Sequence, residues 1–183
     1  MAIYHASVKM ISRSAGRSSV AAAAYRSGTC LENEYDGRKH DFRKKQWIAY
    51  TQIMLPEHAP SEYQDRSNLW NAVEKSEKAS NAQLAREVEL ALPKELTLDQ
   101  QIQLIQDYVQ RNFTNQGMCA DIAIHSPPKT NDRYQPIDST GHRTNDKEKM
   151  IFENPHAHIM LTVRPIDQSG KWEAKSQKVY LCK

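Results

Sequence analysis

The stretch HAHIMLTV (156–163) decides the fold, because its residues alternate strictly. His156, His158, Met160 and Thr162 fall on one side of an extended chain; Ala157, Ile159, Leu161 and Val163 fall on the other. Two further stretches share this asymmetry. AREVELAL (85–92) sets Val88, Leu90 and Leu92 against Glu87 and Glu89, and CADIAIHS (119–126) sets Ile122 and Ile124 against Asp121, Ala123 and His125. Each strand therefore offers an apolar face for packing and a second face with small or chemically capable groups. LTLDQQIQLIQDYVQRNF (96–113) has helical spacing at Leu98, Ile102, Ile105 and Val109, and SEYQDRSNLWNAVEKSEKASN (61–81) has it at Tyr63, Leu69, Trp70 and Val73. Both are expected to cover the sheet.

Nearer the start, AIYHASVKM (2–10) reads as a strand, and WIAYTQIML (47–55) as another, closed by Pro56 and Pro60. Between them, VAAAAYRSG reads as a short helix. Ser18 or Ser19 caps its start, the alanines favour it, and Gly28 ends it in the left-handed conformation. Tyr25 then sits in its last turn. Residues 30–46, polar and charged, are expected to be a loop. Residues 126–155 are rich in Pro and polar groups, and a connection of that length points to a flexible insertion over 127–150 or to a loop facing a substrate. One more strand is expected within GKWEAKSQKVYLCK (170–183).

The chain has 183 residues, 39% hydrophobic and 26% charged, enough for one domain with a real core. No apolar run approaches the length of a membrane span, and the start lacks the pattern of a signal peptide, so a cytoplasmic location without membrane insertion is expected. Three cysteines, Cys30, Cys119 and Cys182, form no CxxC and point to reduced thiols. A net charge of +3 does not identify a nucleic-acid binder. Basic residues do gather early, at Lys9, Arg13, Arg17, Arg26 and in RKHDFRKK (38–45). Such a run is either a solvated loop or a set of phosphate contacts.

On a strand, His156 and His158 project to the same side about 6.5 to 7 Å apart at the backbone, near enough to share one ion. His125 offers a third imidazole from a strand that can lie alongside. Three imidazoles leave coordination positions open, as catalytic metal sites do. The alternative is that the HxH pattern is incidental and both rings face solvent or a polar network. An all-imidazole set disfavours Mg2+ and suits Mn2+, Zn2+, Ni2+ or Co2+ better.

MAIYHASVKMISR (1–13), the helix from Ser18 through AAAAYRSG (21–28), REVELALP (86–93), DIAIHS (121–126) and NPHAHIMLTVR (154–164), in that order, resemble the N-terminal relaxase domain of the MobA/MobL plasmid mobilisation proteins, members of the HUH endonucleases. The similarity covers roughly 1–28, 47–125 and 153–165. It implies an α+β fold with a largely antiparallel central sheet and helices packed on it, forming the front part of a longer protein. It implies His125, His156 and His158 as ligands of one divalent ion, Mn2+ first, with Mg2+, Zn2+, Ni2+ and Co2+ as alternatives. It implies Tyr25 as the nucleophile, ahead of Tyr4, Tyr35 and Tyr50, and Glu87 as a proton acceptor or as the holder of a metal-bound water.

The implied reaction is nicking and rejoining of single-stranded or locally melted origin-of-transfer DNA through a 5′-phosphotyrosine, with a free 3′-hydroxyl. Strand contacts are then expected from Arg13, Arg17, Arg26, Arg38, Lys39, Lys44 and Lys45. Accessory relaxosome proteins and a type IV secretion coupling protein are implied as partners. Tyr25 precedes the histidines, the order of relaxases rather than rolling-circle replication initiators, which remain the first alternative. A non-catalytic zinc-stabilised DNA-binding module and a metallohydrolase using water are the others. The length of 127–150 departs from the family pattern.

Overall fold

In a computed structural model, which describes residues 5–175, the order of elements follows from where apolar alternation and helix caps fall in the chain. Seven strands form: β1 (Ala6–Ser12), β2 (Cys30–Asn33), β3 (Arg38–Asp41), β4 (Ile48–Met54), β5 (Gln83–Ala91), β6 (Ala120–His125) and β7 (His156–Thr162). The helices are α1 (Ser19–Ser27), α2 (Arg66–Ser76) and α3 (Leu98–Asn112). Five strands make one sheet in the order β1-β5-β7-β6-β4, with every neighbouring pair antiparallel. The fold is therefore α+β, as the family resemblance implied.

The histidine-bearing strand β7 is central, flanked by β5 and β6, which explains why its apolar positions are so uniformly aliphatic. Ala157, Ile159 and Leu161 meet Val88, Leu92, Ile122 and Ile124 in a core that Ile105, Val109 and Phe113 of α3 and its end cover. Burying such side chains stabilises by about 1.5–3 kcal/mol each. The other face of the sheet is also covered over part of its area. There Ile11, Ala85, Met160 and Ile53 pack under Val20 and Ala23 of α1 and Leu69, Trp70 and Val73 of α2.

Caps set the helix boundaries. Thr97 and Gln100 form a reciprocal capping box at the start of α3. The Asp65 side chain accepts from the Asn68 amide, so α2 begins at Arg66 and is shorter than the 61–81 stretch suggested; a 3-10 turn occupies Ser61–Gln64.

Three differences from the sequence expectations stand out. Residues 30–41 are not loop throughout but a two-stranded hairpin, β2 with β3, because Asp36 and Gly37 turn the chain and the backbone pairs despite its charged side chains. Within 2–10, strand pairing begins at Ala6 and runs on to Ser12, while residues 1–4 lie outside those described. The further strand expected within 170–183 falls largely outside the described residues; the part inside forms an isolated bridge between Ile166 and Trp172. Between β6 and β7 the chain makes successive turns, tied by bridges of Thr130 with Pro136 and Ile137 with Arg143, and by a bond from the Lys129 amide to the Ile151 carbonyl. The segment 127–150 thus has backbone bonds of its own. Among the described residues no helix is long and apolar enough to cross a membrane.

Candidate metal centre and nucleophile

β6 ends and β7 begins at the same end of the sheet, and register places His125 directly opposite His156, with Ala123 opposite His158. Alternation puts all three imidazoles on the face that α1 covers. Their ring centroids lie 4.8 to 5.5 Å apart, and one ligand nitrogen from each falls within 4.8 Å of the others. Ligands of a tetrahedral ion at about 2.0–2.1 Å would be about 3.4 Å apart, so small ring rotations bring the three onto one ion.

Each ring is held by its other nitrogen. His125 Nε2 donates to the Arg26 carbonyl at 2.7 Å, His156 Nδ1 to the Asn154 carbonyl at 2.9 Å and His158 Nδ1 to Glu87 Oε1 at 2.8 Å. A nitrogen that donates carries the proton, which leaves His125 Nδ1 and the Nε2 atoms of His156 and His158 as the lone-pair donors. Burial lowers the pKa of His125, to about 4, and that of His156. Both are therefore neutral near pH 7, the state a metal ligand requires.

Glu87 is 2% exposed, at the β5 position facing α1. Burial pushes its carboxyl up, but hydrogen bonds from His158 and Arg26, together with the guanidinium charge, outweigh it and hold the group at about 2. Both oxygens are engaged: the Arg26 guanidinium clasps them side-on through Nε and Nη2, and His158 shares Oε1. So bound, Glu87 is a weak proton acceptor well suited to orienting the His158 ring.

Tyr25 sits at the end of α1, where two features of the sequence place it. Ala23 and Ala24 are buried and, being small, let the helix approach the sheet. Gly28 takes φ +65° to end it, and a Cβ there would collide with Ile48. The Tyr25 side chain is 50% exposed; its ring meets Phe42 edge-on with centroids 5.2 Å apart, and Lys45 Nζ lies 3.7 Å from its centroid. An open groove of about 560 Å³ is lined by Tyr25 together with Arg17, Arg26, Glu87, Glu89 and His158.

The basic residues divide into two groups. Arg13 reaches inward to Glu74 and to the carbonyls of Glu77 and Ala79, and Arg26 to Glu87, so both guanidiniums meet internal partners in place of the free surface expected for strand contacts. Arg17 lines the groove, while Arg38 and Lys39 on β3 and Lys44 after it are exposed. Lys45 is half-buried against Tyr25. Sequence reading missed the contacts of Phe42 and Lys45 with Tyr25, and no periodicity in RKHDFRKK could have signalled them. It also left Asp121 unassigned, which is buried and accepts from Arg66 and from Trp70 Nε1.

An antiparallel sheet that clusters three imidazoles, beneath a helix ending in a solvent-reaching tyrosine, defines an α+β protein with a candidate divalent-metal centre at one end of its inner strands. The MobA/MobL family model matches residues 17–181, and the chain belongs to that family. It is 38% identical to the mobilization protein MobL of Acidithiobacillus ferridurans over 93% of this chain and 45% of that protein. It is 37% identical to a probable conjugal transfer protein TraA of Sinorhizobium fredii over 93% of this chain and 14% of that one. The chain thus spans less than half the length of these relatives. Its fold is similar to that of a chain in a solved structure described as "Molecular Basis of Vancomycin Resistance Transfer in Staphylococcus aureus", with TM-score 0.76 and 29% identity over 97% of this chain and 79% of the other.

Proposed function

We propose that this protein nicks and rejoins one DNA strand at a plasmid origin of transfer, using the Tyr25 phenol as nucleophile. The observation that carries the proposal is the shared groove, which Tyr25 and His158 line together. Mobilisation and conjugal-transfer relatives over nearly the whole chain support the same reading. His125, His156 and His158 would hold one divalent ion; the donor set fits, because each ring is neutral or anchored with a lone pair to give. Such an ion, Mn2+ first, supplies charge neutralisation at the scissile phosphate.

The chain's own residues do the rest. Arg17, Arg38, Lys39 and Lys44 supply positive charge along the strand. The Tyr25 oxygen loses its proton to solvent base and bonds to phosphorus, and the 3′-oxygen leaves and takes up a proton. One phosphodiester replaces another, so rejoining requires no ATP. Glu87, clasped by Arg26, fixes the His158 ring and its tautomer.

The test is incubation with a single-stranded origin oligonucleotide and Mn2+, followed by mass analysis of the tyrosine peptide in the native protein and in Tyr25→Phe. The proposal expects a DNA-linked Tyr25 peptide, and in Tyr25→Phe lost cleavage with DNA binding kept. Cleavage surviving in Tyr25→Phe would make the protein a hydrolase that uses water. Binding with no cleavage in either protein would make it a DNA-binding module. Cleavage confined to a replication origin would make it an initiator.

A further inference from the structure

A lysine that the family resemblance would give a backbone contact with DNA lies over the Tyr25 ring face. Lys45 Nζ stands 3.7 Å from the Tyr25 ring centroid and also donates to the Tyr25 carbonyl at 3.0 Å. One ammonium thus grips the tyrosine twice, by its ring and by its backbone. That carbonyl belongs to the last turn of α1, where helix carbonyls lack partners and cations are favoured. Phe42 closes the ring from a second side, edge-on. Among the described residues no carboxylate forms an ion pair with Lys45, although Arg13, Arg26 and Arg66 all have one. Its half-buried stem keeps the charge close to the ring: burial, and next the Arg26 charge, lower its pKa to about 8 against the pull of Glu87.

We propose that Lys45 is a positioning residue for Tyr25, holding the ring in one orientation and placing a cation over the π face on which phenoxide charge is delocalised. The proposal rests on the reading of Tyr25 as the nucleophile and adds to it. When Tyr25 attacks, its O–H bond breaks and the oxygen gains charge before the bond to phosphorus is complete. When the strand is rejoined, the bond between phosphorus and the Tyr25 oxygen breaks and that oxygen departs with the electron pair. In both directions negative charge spreads into the ring, and a cation over the face is attracted more strongly to that ring than to a neutral phenol. An ammonium contacting a phosphate would instead strengthen DNA binding in the ground state, with no effect on the rate once DNA is saturating.

The experiment compares Lys45→Met, Lys45→Gln and Lys45→Arg with the native protein in the rate of Tyr25–DNA adduct formation at saturating single-stranded origin oligonucleotide and Mn2+. DNA affinity is measured separately in a Tyr25→Phe background. Metal-free protein labelled with 13C in its tyrosine rings is examined by NMR. The expected result is a rate at least tenfold lower in Lys45→Met and Lys45→Gln, Lys45→Arg within about threefold of native, affinities changed less than threefold, and displaced Tyr25 ring resonances in the two neutral variants without metal. A native rate at saturation in the neutral variants, with weakened affinity, would make Lys45 a strand contact and overturn the proposal. Absence of any Tyr25 adduct in the native protein is a different failure, that of the nucleophile assignment.

Discussion

Replacing Glu87 with Gln keeps the shape of the side chain and removes the charge that Arg26 and His158 both use. Loss of one partner of a buried ion pair costs about 3–5 kcal/mol. The Arg26 side chain keeps 17% of its exposure and an amide oxygen still accepts one bond, so the low end applies, about 3 kcal/mol. For a chain of this size, with about 2–4 °C per kcal/mol, Tm should fall by roughly 6–12 °C. The freed His158 ring should lower metal affinity by about 10–100-fold, read by titration calorimetry with Mn2+. Because Glu87 orients a ligand, excess Mn2+ should restore most of the nicking rate. Native Tm and metal affinity, combined with nicking that stays lost at saturating Mn2+, would refute this reasoning and make Glu87 the proton acceptor.

In metal-free protein, His125 refuses a proton until about pH 4 whereas the unfolded chain takes it near 6.5. Stability is therefore full above pH 6.5 and lost as pH falls toward 4, by up to about 3 kcal/mol, so urea midpoints should decline across that window and His125→Gln should flatten the decline. Gly28→Ala should cost about 1–2 kcal/mol for the left-handed backbone alone, plus the collision with Ile48, and an unchanged urea midpoint would contradict it. Asp121→Asn should lower stability by about 3 kcal/mol, since the carboxylate bonds Arg66 twice and Trp70 once in the core beneath α2; thermal unfolding checks this.

The sheet was legible wherever burial imposed alternation. β5, β6 and β7 lie at the centre, so their apolar faces could not vary, and the same period put His125, His156 and His158 on one side. The capped helix before Gly28 was legible from Ser18 and the alanines. The β2–β3 hairpin was not, because four-residue strands with exposed charged side chains bury too little to enforce a pattern. Charge alone likewise could not separate Arg17 from Arg13 and Arg26, which are ion-paired with Glu74 and Glu87, 61 positions away in each case. Contacts at that separation depend on topology, as does the approach of Lys45 to Tyr25.

Anomalous diffraction at the manganese edge from crystals grown with Mn2+ would locate the ion, its ligands and the Tyr25 ring together. One strong peak bounded by His125 Nδ1 and the Nε2 atoms of His156 and His158, with the Tyr25 hydroxyl facing its open side, is the predicted result. A peak held by other residues, or a Tyr25 ring turned away from the ion, would contradict it.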